Sequence, residues 1–425
     1  MNILVIGSGG REHALCWKLR QSPLVKEIYA SPGNGGTALE GVNVDINLTE
    51  HQKVADFCKE KNIDLVVVGP EAPLAVGIVD NLEKEDISVF GPSYAAARLE
   101  SSKIFAKELM GRYNIPTASF RIFDDFEKAE EHIRSVGAPI VVKAYGLAAG
   151  KGVIVAEDVN TAVNAAREML VEKKFDSAGS RIIVEECLRG EEASILVLTD
   201  GENIVPLATS QDHKRANDGD TGPNTGGMGA YSPAPVIDDA LFEKVMEIII
   251  LPTIEALKKE GIVYKGVLYA GLMITEDGPK VLEYNVRFGD PETQAILPRM
   301  KSDLAELLAS SAMGELADKS VEWEDDDCVC VVLASGGYPG EYQKGKKITG
   351  LDEARGEGAV IFHAGTRREG EDLVTSGGRV LGVAGKGSGI KQAVANTYRA
   401  VERIHFDRMH YRGDIGHRAI SRVNA

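Results

Sequence analysis

The chain has few cysteines and no long apolar run, and each absence excludes a class of protein. The five cysteines among its 425 residues are scattered, odd in number and without a CxxC pair, which predicts reduced thiols and excludes a disulfide framework. No apolar run approaches the length of a membrane span. Met1 leads directly into the strand-like residues 3–6, without the basic segment and cleavage site of a signal peptide. We therefore expect a cytoplasmic protein with no membrane partner.

Basic residues are scarce as well. The 48 lysines and arginines are outnumbered by 64 aspartates and glutamates, which gives a formal net charge of −16. Nucleic-acid backbones are bound by clustered Lys and Arg, so this balance argues against a nucleic-acid partner. A nucleotide substrate needs only local positive charge and is not excluded. The length predicts about two to four domains.

The first hundred residues alternate apolar runs with helical segments, which predicts a doubly wound α/β domain with a parallel sheet. Its first turn, residues 7–10, resembles a dinucleotide loop, but Glu12 occupies the third glycine position and no ribose-binding acid ends the second strand. This disfavours a dinucleotide-dependent oxidoreductase. The amides of Gly9 and Gly10, at a helix N-terminus, are predicted to hold a phosphate, with a plain βα turn as the alternative. Glu71 is expected along the same edge.

A glycine-rich loop at residues 146–152 joins two predicted strands, with Lys143 before it and Lys151 near its end. It is not a Walker A loop, because the spacing is one residue short, Gly152 replaces Ser or Thr, and no helix follows. Backbone amides and two ammonium groups at a hairpin tip can still close over phosphates as a lid. The loop therefore predicts phosphate binding.

Residues 211–229 form a polar, glycine-rich segment that we interpret as a long substrate loop without secondary structure. It contains Asp212, His213, Lys214 and Asn224. An Asp-His pair can indicate a catalytic dyad, but no activated nucleophile accompanies this one. We therefore assign His213 to binding and not to catalysis.

A late strand carries the densest chemistry. Side chains alternate along a strand, so Glu283, Asn285 and Arg287 are expected on one face. A carboxylate and an amide oxygen are ligands of the kind that Mg²⁺ takes, and an arginine is the preferred clamp for phosphate or carboxylate. The strand then runs into a turn with two more carboxylates, Asp290 and Glu292. These features favour a metal–phosphate site over a solvated strand face.

The lysine-flanked glycine loop, an acidic stretch at residues 185–192 and the late Glu-x-Asn strand together resemble the ATP-grasp ligases. Within that superfamily, residues 287–296 (Arg-Phe-Gly-Asp-Pro-Glu-Thr-Gln-Ala-Ile) are similar to the signature of the glycinamide ribonucleotide synthetase family. Residues 7–14, 146–153 and 212–229 resemble that family too. The resemblance therefore spans the whole chain.

The resemblance implies an α/β protein of three domains. We expect an N-terminal doubly wound parallel-sheet (pre-ATP-grasp) domain at residues 1–100, which binds substrate. An ATP-grasp domain is expected at residues 101–325, with a mobile lid subdomain at about residues 116–190. A small C-terminal α+β domain, with little chemistry of its own, is expected at residues 326–425.

The resemblance also assigns residues to ATP. Those expected to contact its phosphates are Lys103 and Lys143, with Gly146, Gly150, Lys151 and Gly152 in the lid. Those expected at the adenine are Glu185, Glu186 and Leu188. Glu191 and Glu192 compete for the ribose, and strand alternation from Ser194 favours Glu192 without deciding between them.

The same resemblance places Mg²⁺, or Mn²⁺ in its stead, on Glu283 and Asn285. The preceding strand, predicted at residues 267–274, contains no acid, so the metal shell is expected to depend on phosphate oxygens and water. Residues expected at the reacting groups are Asp212, Lys214, Arg287 and Asp290. Those expected to bind substrate are Gly9, Gly10, Glu71, His213 and Asn224.

The implied activity is that of an ADP-forming carbon–nitrogen ligase of purine biosynthesis, which joins glycine to 5-phosphoribosylamine through an acyl phosphate. Such chemistry needs no side-chain nucleophile, and the sequence offers none. The alternatives are another ATP-grasp carboxylate–amine ligase, a carboxylase, a formate-dependent transformylase, or an inactive nucleotide-binding module. We expect a monomer or a weak oligomer.

Overall fold

The structure is a computed structural model that describes residues 1–146, 152–175 and 179–423. Its N-terminal sheet consists of β1 (Asn2–Gly7), β2 (Glu27–Pro32), β3 (Val42–Asn43), β4 (Leu65–Val68) and β5 (Val89–Phe90). These parallel strands lie in the order β3-β2-β1-β4-β5. Its helices are α1 (Gly10–Leu19), α2 (Thr37–Glu40), α3 (His51–Lys61), α4 (Glu71–Ala75), α5 (Ile78–Glu83) and α6 (Tyr94–Ser101). The predicted doubly wound sheet is confirmed.

The next unit is a four-stranded antiparallel sheet covered by two helices. Its elements, after α7 (Lys103–Arg112), are β6 (Phe120–Phe123), α8 (Phe126–Val136), β7 (Ile140–Ala144), β8 (Val153–Ala156), α9 (Val159–Leu170) and β9 (Ile182–Glu186). The strands lie in the order β6-β9-β7-β8. Ile133, Val142 and Ala166 belong to a hydrophobic cluster whose buried members, among the described residues, all lie in this unit. The unit corresponds to the segment predicted as a lid.

The central sheet carries the site strand. Its strands are β10 (Glu191–Thr199), β11 (Ile204–Pro206), β16 (Gly266–Thr275) and β17 (Gly278–Asn285), in the order β11-β10-β16-β17. The helices that follow its strands are α10 (Asp239–Val245), continued by a π-helical turn at Met246–Ile250, α11 (Leu251–Lys259), α12 (Glu292–Ile296), a 3-10 turn at Leu297–Arg299, and α13 (Leu304–Met313). Leu268 and Ala270 share one core with Leu4 and Ile6 of the N-terminal sheet. The central sheet is thereby packed firmly on the N-terminal domain.

The segment predicted as a loop without secondary structure contains four strands. They are β12 (Gln211–Asp212), β13 (Arg215–Asn217), β14 (Thr221–Asn224) and β15 (Gly229–Ser232). β13 and β14 pair as a hairpin whose turn has left-handed Gly219 and Asp220, with φ of 66° and 54°. The loop prediction is wrong because the backbone groups of this segment pair across the turn, between short strands that are largely exposed.

Among the described residues, the C-terminal part contains antiparallel strands and three helices. Its elements are β18 (Asp327–Ser335), α14 (Leu351–Gly356), β19 (Val360–His363), β20 (Thr366–Glu369), β21 (Asp372–Thr375), β22 (Arg379–Gly387), α15 (Ile390–Val401), β23 (Met409–His410) and α16 (His417–Val423). The main sheet has the order β12-β15-β18-β22-β19, so it takes two strands from the central region. The pair Ala230–Cys330 lies in its interior. The sheet therefore crosses the boundary predicted at residues 325 and 326.

All five cysteines are free thiols. Among the helices of the described residues, none combines the length and the apolar character that crossing a membrane requires.

Candidate active site

Arg287 is held just beyond β17 by an amide and two carboxylates. Its Nη2 donates to Asn285 Oδ1 at 2.9 Å and to Glu100 Oε1 at 2.8 Å, and its Nε lies 3.5 Å from Glu71 Oε2. The predicted grouping of Asn285 with Arg287 is confirmed, although the strand itself ends at Asn285. Burial raises the pKa of Glu100 in spite of the charge of Arg287. Glu71 and Glu100 bring the N-terminal region to this strand.

Asp290 is bound by an arginine of the C-terminal sheet. Arg379 Nη2 donates to Asp290 Oδ2 at 3.0 Å, and Arg379 Nη1 donates to the carbonyl oxygens of Asp290 and Gly226, each at 2.7 Å. Gln294 Nε2 donates to Asp290 Oδ1 at 2.7 Å. The C-terminal domain, expected to add little chemistry of its own, thus contributes a contact to a predicted site residue. No spacing in the sequence connects position 379 with position 290, which is why Arg379 was missed.

A second carboxylate, Glu185, is buried between two lysines. β7 and β9 are paired, and this brings Lys143 Nζ within 2.9 Å of Glu185 Oε2. Lys107 Nζ lies 3.1 Å from the same oxygen and donates to Thr117 Oγ1 at 2.7 Å. Burial lowers the pKa of Lys107 to about 8, although the charge of Glu185 opposes the shift. Sequence analysis missed Lys107; the signal was its position four residues after Lys103 on one helix face.

Lys103 contacts the beginning of the glycine-rich loop. Its Nζ donates to the carbonyl oxygen of Gly146 at 2.9 Å, and burial lowers its pKa. At the other end of the loop, the carbonyl oxygen of Gly152 accepts from the last backbone N–H of β7 at 2.8 Å. Gly150 and Lys151, which were predicted to bind phosphate, lie outside the described residues.

The predicted adenine hinge is the connection between β9 and β10. Glu186 Oε2 accepts from the backbone N–H and the hydroxyl of Ser119, at 3.3 and 3.2 Å. Leu188 is half-buried within the connection. The carboxylate of Glu185 lies inside and that of Glu186 outside, as strand alternation requires. Their contact with adenine stays a prediction.

Glu191 and Glu192 point to different neighbours at the beginning of β10. Arg422 Nη2 donates to Glu191 Oε1 at 2.6 Å, whereas Lys214 Nζ donates to Glu192 Oε2 at 2.9 Å. The charge of Lys214 lowers the pKa of Glu192. Glu192 thus lies toward the predicted site residues and Glu191 toward the C-terminal helix α16.

Lys214 lies among carboxylates. In addition to its bond with Glu192, its Nζ is 3.9 Å from Glu283 Oε1. Burial raises the pKa of Asp212 to about 7; Lys214 opposes the shift, and Glu292, Glu192 and Glu283 reinforce it. Burial acts to lower the pKa of Lys214, but the carboxylates raise it well above its usual value. Three predicted site residues, Asp212, Lys214 and Glu283, are therefore brought together.

Glu283 and Asn285 form a donor set that fits Mg²⁺ or Mn²⁺, since carboxylate and amide oxygens are hard ligands. The side chain of Glu283 is 45% exposed, so it can face a nucleotide. Asn285 Oδ1 uses one lone pair for Arg287 and keeps another. Across the part of the chain that the structure describes, no group of three His, Cys, Asp or Glu side chains could hold a metal ion. Two protein ligands, with phosphate oxygens and water, are the shell that this strand supports.

The amide of Gly9 is not available for phosphate. It donates to Glu12 Oε2 at 2.5 Å in a capping box at the beginning of α1. The carboxylate of Glu12 occupies the space that a side chain at position 69 would need: a Cβ at Gly69 would come within 2.1 Å of Glu12 Oε1. The predicted phosphate site at Gly9 and Gly10 is therefore wrong for Gly9. Glu12, which stands at the third glycine position of the dinucleotide fingerprint, is thus the residue that accepts the hydrogen bond of this amide.

His213 is placed away from the site. Its side chain is fully buried, its Nε2 accepts from the backbone N–H of Gly416 at 3.2 Å, and its ring packs near Tyr231 and His417. Burial lowers its pKa to about 4. Adjacent residues of an extended chain face opposite sides, so directing Lys214 into the site turns His213 into the interior. Its assignment to substrate binding is wrong.

Asn224, the last residue of β14, is exposed. The structure brings its strand beside β13, which follows Lys214 directly. Its contact with substrate stays a prediction.

Three family models match successive parts of the chain. They are phosphoribosylglycinamide synthetase, N domain, at residues 1–100; its ATP-grasp (A) domain at residues 101–293; and its C domain at residues 328–418. The chain belongs to the phosphoribosylglycinamide synthetase family. The resemblance found in the sequence is thereby confirmed.

Curated relatives of the family extend over the whole chain. A protein named phosphoribosylamine–glycine ligase from Vibrio cholerae is 52% identical over 428 residues and covers 100% of both chains. One of the same name from Mesorhizobium japonicum is 51% identical over 425 residues, again with 100% of each chain covered.

Solved structures support the same family and fold. A phosphoribosylamine–glycine ligase from Thermotoga maritima superposes with a TM-score of 0.87 at 34% identity, covering 98% of this chain and 100% of that one. The biotin carboxylase domain of a 2-oxoglutarate carboxylase from Hydrogenobacter thermophilus has a TM-score of 0.73 at 16% identity, covering 96% and 91%. The second likeness concerns the fold alone.

Proposed function

We propose that the chain catalyses ATP-dependent ligation of glycine to 5-phosphoribosylamine in de novo purine biosynthesis, giving glycinamide ribonucleotide, ADP and phosphate. Membership of the phosphoribosylglycinamide synthetase family and the names of its full-length relatives support this reaction. The observation that carries it is the arrangement around Lys214, which joins Glu192 and Glu283 beside Asp212. Cytoplasmic location and a monomeric or weakly oligomeric state stay predictions.

The reaction proceeds in two displacements. A carboxylate oxygen of glycine attacks the γ-phosphorus of ATP, the bond to the β-phosphate oxygen breaks, and ADP leaves with glycyl phosphate formed. The amine nitrogen of phosphoribosylamine then attacks the carbonyl carbon, the bond from that carbon to the phosphate oxygen breaks, and inorganic phosphate leaves. The amide nitrogen loses one proton. The protein has to orient reactants and neutralise charge, and no covalent enzyme intermediate is required.

The lysines at the lid end of the site are suited to the triphosphate. Lys143 is fixed by Glu185, and Lys103 contacts the first residue of the glycine-rich loop. We assign adenine to the hinge at Glu185, Glu186 and Leu188, and ribose to Glu192. Closure of the unit at residues 116–190 over the nucleotide would exclude water from the acyl phosphate, which otherwise hydrolyses.

The strand end is suited to the reacting groups. Arg287 is held by Glu100 and Asn285, so its guanidinium is oriented before substrate arrives. Asp212, with a pKa of about 7, is the group we assign to accept the amine proton at its carboxylate. Mg²⁺ or Mn²⁺ on Glu283 and Asn285 would supply positive charge to the phosphate oxygens. Glu192 holds the ammonium group of Lys214 close to Asp212 and Glu283.

The test is ADP release by the purified protein with ATP, Mg²⁺ and glycine, in the presence and absence of phosphoribosylamine. We expect release that depends on both co-substrates and equals the glycinamide ribonucleotide formed. Release that responds to bicarbonate or formate in place of glycine would favour another ATP-grasp reaction. Release independent of glycine would contradict the proposal.

A further inference from the structure

The guanidinium of Arg412 is fully buried and each of its nitrogens has an acceptor. Nε and Nη2 donate to the two carboxylate oxygens of Asp414, each at 2.7 Å. Nη1 donates to Asp220 Oδ1 at 2.8 Å and to the backbone oxygen of Arg215 at 3.2 Å. Arg215 and Asp220 belong to the hairpin of β13 and β14. One buried side chain therefore joins the C-terminal segment, residues 409–423, to that hairpin.

Two aspartates join the same pieces of chain through the backbone. Asp218 Oδ1 accepts from the backbone N–H of Gly413 at 2.8 Å, and Asp414 Oδ2 accepts from the backbone N–H of Gly219 at 2.8 Å. The hairpin and the C-terminal segment thus each provide a carboxylate that accepts from a backbone N–H of the other. Such reciprocal bonds define one position of the hairpin tip against the C-terminal segment.

The residues just before the hairpin connect the C-terminal segment with the site. His213 accepts from Gly416 of the C-terminal segment, while the next residue, Lys214, points the other way onto Glu192. The backbone oxygen of Lys214 also accepts from the N–H and the hydroxyl of Thr225, at 2.8 and 2.9 Å. Holding His213 against the C-terminal segment therefore holds Lys214 in the site.

We propose that the C-terminal segment is a positioning element for the ligase reaction, with Arg412 as its positioning residue. Arg412 holds the hairpin, and the hairpin keeps Lys214 Nζ on Glu192 and near Glu283. Among the contacts that the described residues make, Arg412 has none with Lys214 itself, so its effect passes through the hairpin. A reacting group displaced by about 1 Å can cost about 10²-fold in rate. The inference rests on the proposed function, because the rate concerned is that of the ligation.

The test uses the full-length enzyme with Arg412→Met. We expect kcat to fall about tenfold or more with a smaller rise in the KM for ATP, since Lys103 and Lys143, which we assign to the phosphates, lie elsewhere and only the ribose contact at Glu192 adjoins Lys214. Hydrogen exchange of the amides at residues 215–224 should become faster. The matched control is Arg403→Met, because Arg403 is 55% exposed and pairs only with surface Glu357 among its described contacts. It should leave both readouts unchanged.

A milder variant keeps the proposal testable if Arg412→Met does not fold. Asp218→Ala removes the bond to Gly413, and Asp218 is exposed. Asp220 retains Arg412 and Arg418, at 2.8 and 2.6 Å. We expect kcat to fall about threefold, again with a smaller change in the KM for ATP.

Four results separate the outcomes. Faster hairpin exchange with wild-type kcat would overturn the positioning role, as would a loss of kcat and ATP affinity that only follows the loss of thermal stability. Faster hairpin exchange with a fall in kcat that exceeds the change in the KM for ATP, at unchanged thermal stability, supports it. A wild-type enzyme without ligase activity would contradict the proposed function itself, and the hairpin exchange would still report whether Arg412 holds the hairpin.

Discussion

Arg379, on the C-terminal sheet, donates to both the carboxylate and the backbone oxygen of Asp290, in the turn that follows β17. This pair fixes the turn from outside the central sheet. Burial acts to raise the pKa of Asp290, but the charges of Arg379 and Arg11 keep it below its usual value. Asp290 therefore stays ionised, and the C-terminal domain takes part in shaping the site.

Replacing Arg379 with Met should impair catalysis more than folding. The change leaves Asp290 with Gln294 as its side-chain partner and frees the carbonyl oxygen of Gly226. We expect kcat/KM to fall by about 10²-fold, as is usual when a positioned charge is lost from an active site. Steady-state kinetics with all three substrates measures this. Arg367→Met, at an exposed arginine paired with Glu369, is the control, and equal losses in both variants would remove Arg379 from the site.

Glu283→Gln tests the metal assignment. The substitution keeps the shape of a half-exposed side chain, so the free energy of unfolding should change by less than about 0.5 kcal/mol. Turnover should fall by more than about 10³-fold, because an amide is a much weaker ligand than a carboxylate for Mg²⁺ or Mn²⁺. Urea unfolding and the coupled assay are the measurements. Glu276→Gln, in the exposed turn before β17, is the control. Near-wild-type activity of the Glu283 variant would exclude Glu283 as a ligand.

Lys107→Met tests the role of the lysine that sequence analysis missed. Its loss leaves Lys143 as the cation on Glu185 and alters the position of both groups. We expect the KM for ATP to rise about tenfold with a smaller change in kcat, since nucleotide binding and not the later amine attack is affected. Lys128→Met, at an exposed position of α8, should leave the KM unchanged. A wild-type KM in the Lys107 variant would show that the pair serves folding alone.

His363 should make the protein less stable in acid. Burial lowers its pKa to about 3. Between about pH 6.5 and pH 3 the unfolded chain binds a proton that the folded chain does not, so the free energy of unfolding falls as the pH drops through this range. Comparing urea unfolding at pH 7 and pH 4.5, His363→Gln should reduce that fall by about 2.5 kcal/mol. The exposed His405→Gln should not. An unchanged pH dependence in the His363 variant would contradict the assignment.

Features that depend on residues close in sequence could be predicted, and features that depend on contacts between distant residues could not. Alternation within one strand placed Asn285 beside Arg287, and the apolar runs predicted the parallel sheet, because both depend on neighbouring residues. The positions of Lys107 and Arg379 depend on tertiary contacts with distant residues. No periodicity in the sequence connects Arg379 with Asp290. The phosphate site at Gly9 failed through a local competitor, Glu12, whose carboxylate reaches the same amide. The hairpin at residues 215–224 was missed because its strands are short and exposed.

The measurement that tests the central claim most directly follows oxygen from glycine. The proposed route passes one carboxylate oxygen of glycine to the phosphate when the carbonyl carbon is attacked. With glycine labelled by ¹⁸O in its carboxylate, the account predicts one ¹⁸O atom in each inorganic phosphate released, and one in each molecule of glycinamide ribonucleotide. Unlabelled phosphate, formed together with product, would contradict it.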